Sequence, residues 1–139
     1  MEDCIFCKIV KGEIPCYKVY EDSYTLAFLD IGPINPGHTL VIPKKHYKNI
    51  QETPEDLFCK VMAAAKKVAK ATMQALGYSG YNFGVSNGPE AGQVVMHLHA
   101  HIMPRRKGDG HKLFTQGKYK DNEEMKKTAE RISSALKQA

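Results

Sequence analysis

The sequence predicts an α+β fold, in which a five-stranded antiparallel sheet is crossed by one long helix and followed by a C-terminal helix. Three observations predict it: three short β-rich segments precede Lys44, one segment has helical spacing, and two more β-rich segments end near Pro104. With 139 residues and 42% hydrophobic content, the chain is long enough to bury a core. We therefore predict one domain over 1–139, with its core at about 4–108 and a tail helix at about 122–138.

Turn residues bound each predicted strand. The first two strands flank a tight turn at 21–23, a turn containing Pro33, Pro36 and Gly37 leads into the third, and Pro104 ends the fifth. The strands are predicted at 17–20, 24–29, 38–42, 81–85 and 94–103.

Capping signals bound the long helix. Thr53 is predicted to cap it, Pro54 suits its first position, and Gly77 ends it. Its apolar positions are Leu57, Val61, Ala64, Ala65, Val68, Met73 and Leu76. The tail helix has helical spacing at Met125, Ala129, Ile132 and Leu136. Both stripes predict packing faces, and the first is wide enough to contact another subunit as well.

Composition and charge exclude several classes of protein. No segment approaches the roughly 20 apolar residues of a membrane span, and no secretory stretch opens the chain, so we expect a soluble, cytoplasmic protein with no membrane partner. The net charge of +5 comes mainly from dispersed lysines without the clustered aromatics of nucleic-acid binders, so no nucleic-acid partner is expected. The basic run 105–107 is the exception, since it could attract phosphate to the end of the fifth strand.

Four cysteines are too few and too irregular for a disulfide scaffold. The spacing of Cys4 and Cys7, in a chain expected to be cytosolic, favours metal or redox chemistry instead. Cys16 and Cys59 are interpreted as bystanders.

Three histidines alternate with apolar residues in the fifth predicted strand. Because side chains alternate faces along a strand, His97, His99 and His101 should line one surface while the residues between them enter the core. An imidazole near neutral pH can act as a nucleophile, a hydrogen-bond donor or a metal ligand. The run therefore predicts a reactive surface.

Together with two other segments, this run resembles the histidine triad superfamily of nucleotide hydrolases and transferases. The other segments are Ala27-Phe-Leu-Asp-Ile31 and Pro36-Gly-His-Thr-Leu-Val-Ile-Pro43, and the resemblance covers about 4–108. The chain most resembles the prokaryotic branch with an N-terminal Cys-x-x-Cys, close to the nucleotide-binding phosphoramidases. The loop at 88–93 and the run 104–109 are also similar to the diadenosine polyphosphate hydrolases.

The resemblance implies a nucleotidyl transfer mechanism. His99 would attack the α-phosphorus of a purine nucleotide (an AMP or GMP derivative), forming a covalent nucleotidyl-histidine that water cleaves. His101 would bond phosphate oxygens, and His38 matches a fourth histidine beside the triad. The expected reaction converts a nucleoside phosphoramidate to the monophosphate and an amine, with diadenosine polyphosphate hydrolysis as the alternative.

The resemblance also implies a nucleotide site. Asp30 would accept hydrogen bonds from the ribose hydroxyls, and Asn87 and Gln93 could donate amide hydrogens to phosphate. The apolar slot for the base would be lined by Ile5, Phe6, Phe28, Ile31 and Leu40. Val94 and Ser86 depart from the phosphoramidase branch, which has serine and asparagine there. Losing a donor to developing charge slows catalysis by roughly tenfold to a thousandfold.

The cysteine pair needs two more ligands to complete a tetrahedral zinc site. The resemblance supplies His46 and His97, so Cys4, Cys7, His46 and His97 are predicted to hold one structural zinc per chain. A closed set of this type leaves no open position for catalysis. The metal would brace the segment that carries His99.

Two interpretations of other classes stay open. One is a non-catalytic, zinc-containing module that binds a nucleotide or nucleic acid. The other is a hydrolase whose triad holds one catalytic zinc, although positions four apart on a straight strand are about 13 Å apart. The resemblance also implies a homodimer with a sheet continuous across two subunits.

Overall fold

A computed structural model describes residues 3–112 and 114–138 of the chain. It divides into two compact units, one ending at Asp109 and the other beginning at Gly110. The first unit contains one five-stranded antiparallel sheet in the order β1-β2-β3-β5-β4, which confirms the predicted fold class. The strands are β1 Lys18–Glu21, β2 Thr25–Leu29, β3 Thr39–Pro43, β4 Gly80–Val85 and β5 Ala100–Arg105. The helices are α1 Ile5–Val10, α2 Glu55–Leu76 and α3 Asn122–Gln138.

Helix α2 covers one face of the sheet. Its buried stripe, which includes Val61 and Val68, forms one core cluster with Val41 of β3 and Ala100 and Ile102 of β5. The predicted stripe is confirmed at its centre, whereas Leu76 at its end is 54% exposed. The alternation of β5 follows from this packing, because Ala100, Ile102 and Pro104 are buried while His101 lies on the opposite face of the strand.

Helix α1 contributes to the second core cluster, on the other face of the sheet. Phe6 is 6% exposed and belongs to a cluster with Phe28 of β2 and Leu40 and Ile42 of β3. Helix α1 is not predictable from the sequence, because six residues are too few to show helical periodicity. The buried Phe6 ring stabilises it, since a single isolated turn has little stability of its own.

Two predicted boundaries are wrong. Thr53 does not cap α2; its hydroxyl donates to the carbonyl of Asn49 at 2.7 Å, and Pro54 occupies the N-cap position without a side-chain cap. The fifth strand begins at Ala100 rather than at Val94. The segment before Ala100 bends, and Leu98 N–H donates to Tyr47 O at 2.7 Å, so only His101 of the triad lies on the strand.

The second unit contains α3, which agrees with the predicted tail helix. None of its described residues is buried, and its apolar residues Met125, Ile132 and Leu136 are exposed. In the part of the chain that the structure describes, no helix is long and apolar enough to cross a membrane.

Candidate functional site

Four side chains converge where α1, the segment after β3 and the bend before β5 meet. One donor atom each from Cys4, Cys7, His46 and His97 lies within 4.8 Å of the others. His97 Nδ1 is 3.4 Å from Cys4 Sγ and 3.2 Å from His46 Nδ1, and His46 Nδ1 is 3.4 Å from Cys7 Sγ. A tetrahedral zinc ion with ordinary bond lengths would separate sulfur from nitrogen by about 3.5 Å and nitrogen from nitrogen by about 3.3 Å. These four residues are therefore positioned to bind a metal.

The hydrogen bonds of His97 direct a lone pair at this metal centre. Its Nε2 lies 2.8 Å from the Pro43 carbonyl, which can only accept, so Nε2 carries the hydrogen and Nδ1 is unprotonated. The ring is fully buried, and burial lowers the pKa of His97 to about 4. A neutral ring held by a backbone carbonyl is the usual arrangement of a metal-ligating histidine.

His99 is oriented by the residue two positions before it. Its Nδ1 lies 2.8 Å from the His97 carbonyl and must donate to it, so in the neutral ring the lone pair is on Nε2. His99 is 7% exposed and lines a pocket, so this lone pair is available to a bound ligand rather than to bulk water. The geometry provides a neutral nucleophile without a separate base.

His38 lies at the entrance to β3 and is hydrogen-bonded to His101. Ile34 N–H donates to His38 Nδ1 at 3.0 Å, so the hydrogen of His38 is on Nε2, and it is donated to His101 Nδ1 at 2.9 Å. His101 therefore carries its own hydrogen on Nε2. Burial lowers the pKa of His101 to about 4, and the nearby His99 and His38 add to this effect. Burial also lowers the pKa of His38, opposed by the Asp30 carboxylate.

Asp30, His38 and His101 also bring three potential ligand atoms within 4.8 Å of one another. These three residues form a hydrogen-bonded cluster rather than a metal site. The His38 nitrogen that faces the other two carries a hydrogen and has no lone pair for a metal. His97, His99 and His101 thus use their Nδ1 atoms toward three different partners. This arrangement argues against one catalytic zinc held by the whole triad.

A pocket of about 390 Å³ lies beside the triad. His99, His101 and Asp30 provide its polar groups, and Phe6 lies edge-on to both Phe28 and His99, with ring centroids 5.5 and 5.1 Å apart. The five predicted slot residues Ile5, Phe6, Phe28, Ile31 and Leu40 all line it. Ile31 is 94% exposed, so it lies at the mouth rather than in the wall.

In the loop before the triad, the side chains of Gln93 and Asn87 are not arranged as predicted. The Gln93 amide donates both hydrogens to backbone carbonyls, to Lys48 O at 2.7 Å and Val95 O at 3.0 Å, and its oxygen accepts from Gly88 N–H. It is 4% exposed and has no hydrogen left for a phosphate, so its predicted role is corrected to holding the loop. Asn87 is exposed and accepts from Ile50 N–H, and it does not line the pocket.

Comparison with known proteins identifies the family. The HIT domain model matches residues 11–108, which is most of the chain. The chain belongs to the HIT family. An adenosine 5′-monophosphoramidase of Schizosaccharomyces pombe is 42% identical over 135 residues, covering 96% of this chain and 98% of that protein. Among solved structures, a Streptococcus mutans protein is 40% identical with a TM-score of 0.92, covering 98% of this chain and 87% of that one. A zinc-bound histidine triad family protein from Mycobacterium smegmatis is 35% identical with a TM-score of 0.75, covering 96% and 98%.

The basic run 105–107 begins at the last residue of β5, and its arginines have a structural role in this HIT protein. Arg105 makes a bidentate ion pair with Asp109, through Nε and Nη2 at 2.8 Å each, and its Nη1 donates to Asn82. Arg106 bonds the side-chain oxygen of Asn35 at 3.3 Å. The expectation that this run attracts phosphate is therefore not met by Arg105, whose guanidinium is engaged by a carboxylate.

Several pocket residues of this HIT protein were missed from the sequence. Cys16, interpreted as a bystander, lines the pocket, as does the neighbouring Tyr17. The segment leading into β1 has no periodicity, and only its pairing, in which Leu29 N–H donates to Tyr17 O, brings it beside β2. Val94 also lines the pocket, and 87% of its surface is exposed. Because the phosphoramidase branch has serine at this position, the valine leaves the pocket without that hydroxyl.

Proposed function

We propose that this HIT protein hydrolyses purine nucleoside phosphoramidates through a covalent nucleotidyl intermediate on His99. The observation that carries the proposal is the state of the His99 ring, whose Nδ1–H is donated to the His97 carbonyl at 2.8 Å and whose Nε2 is free within a pocket. The likeness to the S. pombe monophosphoramidase supports the same reaction class.

In the first step, His99 Nε2 attacks the α-phosphorus. A phosphorus–nitrogen bond to the imidazole forms as the bond to the leaving amine breaks, and the amine takes a proton. His101 lines the same pocket with an Nε2–H donor, and its ring receives the Nε2–H of His38 at 2.9 Å. A neutral ring that lost its single N–H hydrogen would become an imidazolate, so the two rings would donate hydrogen bonds to the phosphate and the leaving group, while the proton taken by the amine comes from solvent. In the second step, water attacks phosphorus, His99 leaves, and the nucleoside monophosphate is released.

Asp30 and the apolar wall would place the nucleotide. One Asp30 oxygen accepts from Gly32 N–H at 2.8 Å, and the other lies 3.5 Å from His38 Nε2, so the carboxylate retains acceptor capacity for ribose hydroxyls. The wall formed by Phe6, Phe28 and Leu40 would contact the base through apolar surface. The α-phosphate would then lie toward His99 and His101.

The metal centre would hold a structural zinc in the proposed enzyme. Cys4, Cys7, His46 and His97 supply the two sulfur and two nitrogen ligands of a closed tetrahedral site, and a zinc-bound family member has a similar structure. Such an ion contributes folding energy and fixes ligand orientation. Since the carbonyl of His97 also orients His99, the metal would act on catalysis through position alone.

Diadenosine polyphosphate hydrolysis is the second candidate, and Val94 is the observation that favours it. This exposed apolar side chain offers no hydroxyl to a leaving group. An amine needs a proton to leave, whereas a polyphosphate leaves as a stable anion and depends less on a donor. Homodimerisation stays a prediction from the resemblance, whereas a cytoplasmic location and the absence of a nucleic-acid partner stay predictions from composition and charge.

AMP release tests the proposal. Wild type, His99→Ala and the surface control Gln51→Ala would be incubated with adenosine 5′-phosphoramidate and with diadenosine tetraphosphate, and AMP followed by chromatography. We expect release by wild type and Gln51→Ala, and a loss of at least about 10³-fold in His99→Ala, as for other catalytic nucleophiles. The preferred substrate decides between the two candidates. No AMP from either substrate with folded, metal-loaded protein would contradict both and favour a binding module.

A further inference from the structure

The cysteine pair of the metal centre is open to solvent on one side. Cys4 and Cys7 are both partly exposed, whereas His97, the ligand behind them, is fully buried. A cavity of about 420 Å³ is lined by Cys4 and His46 on this side. A small solute can therefore approach the Cys4 sulfur without unfolding the protein.

The backbone places the two sulfur atoms where they can join. Cys4 is the N-cap residue of α1, Cys7 lies in its first turn, and Cys7 N–H donates to Cys4 Sγ at 3.4 Å. The Cys4 side chain is thus directed over the turn that carries Cys7. Residues three apart on a helix are neighbours, and Cys-x-x-Cys pairs with this spacing form disulfides in oxidoreductases.

We propose that Cys4 and Cys7 are an oxidation site for hydrogen peroxide, at which a Cys4–Cys7 disulfide forms and zinc is released. Cys4 thiolate attacks one peroxide oxygen, giving a sulfenic acid and hydroxide. Cys7 thiolate then attacks the sulfenic sulfur, the disulfide forms and a second hydroxide leaves. Two protons from solvent convert the hydroxides to water, so the pair loses two electrons and peroxide gains them. The inference rests on the proposed zinc occupancy of the centre.

Oxidation removes half of the ligand set. His46 and His97 alone are two ligands, and a structural zinc needs four, so the ion leaves. The released centre adjoins the nucleotide pocket, because Ile5, Val94 and Val95 line both the pocket and the solvent-side cavity. Phe6, two residues after Cys4, contacts the His97 and His99 rings at centroid distances of 5.8 and 5.1 Å. Peroxide should therefore lower nucleotide hydrolysis as well as zinc content.

The test uses the full chain with Cys16→Ser and Cys59→Ser, which leaves only the pair; because Cys16 lines the pocket, AMP release is compared only between treated and untreated samples of this same variant. After peroxide treatment, zinc release is read with a colorimetric chelator, free thiols with a thiol reagent, and the chain by intact mass. We expect one zinc released per chain, both thiols lost, a mass lower by two hydrogens than the reduced chain, and AMP release reduced by about tenfold or more. Reductant and added zinc should reverse all four changes.

The same background with Cys7→His is the matched control, since it keeps a zinc donor but has no partner for a disulfide. After peroxide it should show oxygen added to Cys4 and none of the two-hydrogen mass loss that its parent shows, because its sulfenic acid has no second thiol to attack it. Zinc and both thiols surviving in the parent, at a dose that oxidises the exposed Cys59 of wild type, would overturn the proposal. If untreated protein contained no zinc, the proposed metal centre would fail instead. The intact mass would still decide the oxidation, because the lighter disulfide form supports it and its absence overturns it.

Discussion

In four of the five histidines of the site, the hydrogen-bond partner of one ring nitrogen determines which nitrogen carries the hydrogen. The Pro43 carbonyl orients His97, the proposed ligand, the His97 carbonyl orients His99, the proposed nucleophile, and Ile34 N–H sets the direction of donation from His38 to His101. In three of these four histidines, the partner is a backbone group. Such partners come from distant parts of the chain or from bends, and the spacing of side chains does not reveal them.

His101 should make the stability of the protein depend on pH. Its folded pKa is about 4, below its ordinary value of 6.5, with His99, His38 and Asp30 facing it. Between these values the unfolded chain binds a proton that the folded chain excludes, so the free energy of unfolding falls as pH decreases from about 6.5 to about 4. Urea unfolding at pH 7.5 and pH 5 should therefore show a smaller fall for His101→Gln than for wild type. Equal falls would contradict the burial of a neutral ring.

Gln93 should matter to stability because its amide is fully used. Gln93→Leu keeps a similar volume but leaves the carbonyls of Lys48 and Val95 and the N–H of Gly88 without their partner. We expect a loss of about 1–3 kcal/mol in the free energy of unfolding by chemical denaturation. The exposed Glu90→Ala on the same loop should stay within about 0.5 kcal/mol of wild type. A neutral Gln93→Leu would instead restore this residue as a candidate phosphate ligand.

Residue types could be predicted better than residue roles. The spacing of Cys4 and Cys7 indicates metal or redox chemistry, and the resemblance alone predicts His99 as the nucleophile. Gln93 was assigned to phosphate because a free and a satisfied amide look identical in sequence. The predicted attraction of phosphate by Arg105 is wrong for a similar reason. Its carboxylate partner Asp109 is brought to it by the turn between them, which the sequence does not reveal.

At the scale of elements, short segments between the regular strands and helices position the side chains of the site. Helix α1 brings Cys4 and Cys7 to the metal centre and Phe6 to the base pocket, and the turn before β3 brings His38 to His101. The sheet and α2 were predictable because their periodicities extend over many residues. Helix α1 was missed, and β5 was drawn too long, because a bend at His97 preserves the alternating letters while ending the regular strand.

Gly37 should tolerate no side chain in the turn before β3. Its φ of +99° is left-handed, and an added Cβ would lie 2.6 Å from Leu76 Cδ1 and 3.3 Å from Thr72 Cγ2. Leu76 is half exposed and can move, but Thr72 is buried and the backbone strain remains. Gly37→Ala should lower the free energy of unfolding by about 1–3 kcal/mol.

Gly84 of β4 supplies the matched control for Gly37. It has no positive φ, and an added Cβ would meet no atom within 4 Å. Gly84→Ala should therefore stay within about 0.5 kcal/mol of wild type in the same denaturation experiment. Equal losses in the two variants would show that the turn is not the source of the constraint.

At the scale of the whole molecule, one unit contains both proposed centres. The metal centre and the nucleotide pocket belong to the unit that ends at Asp109, and they share the wall of Ile5, Val94 and Val95. The HIT match covers 11–108, so the cysteine pair and α1 lie outside it although they complete both centres. The segment before the matched domain therefore supplies two of the four residues positioned to bind a metal.

The central claim is that His99 becomes covalently nucleotidylated. Wild-type protein mixed with adenosine 5′-phosphoramidate would be quenched within the first turnover, digested and mapped by mass spectrometry under conditions that preserve phosphoramidate bonds. We predict an adenylyl group on the peptide that contains His99, and none in His99→Ala. Hydrolysis without any adduct, or an adduct on His101 in place of His99, would contradict the account.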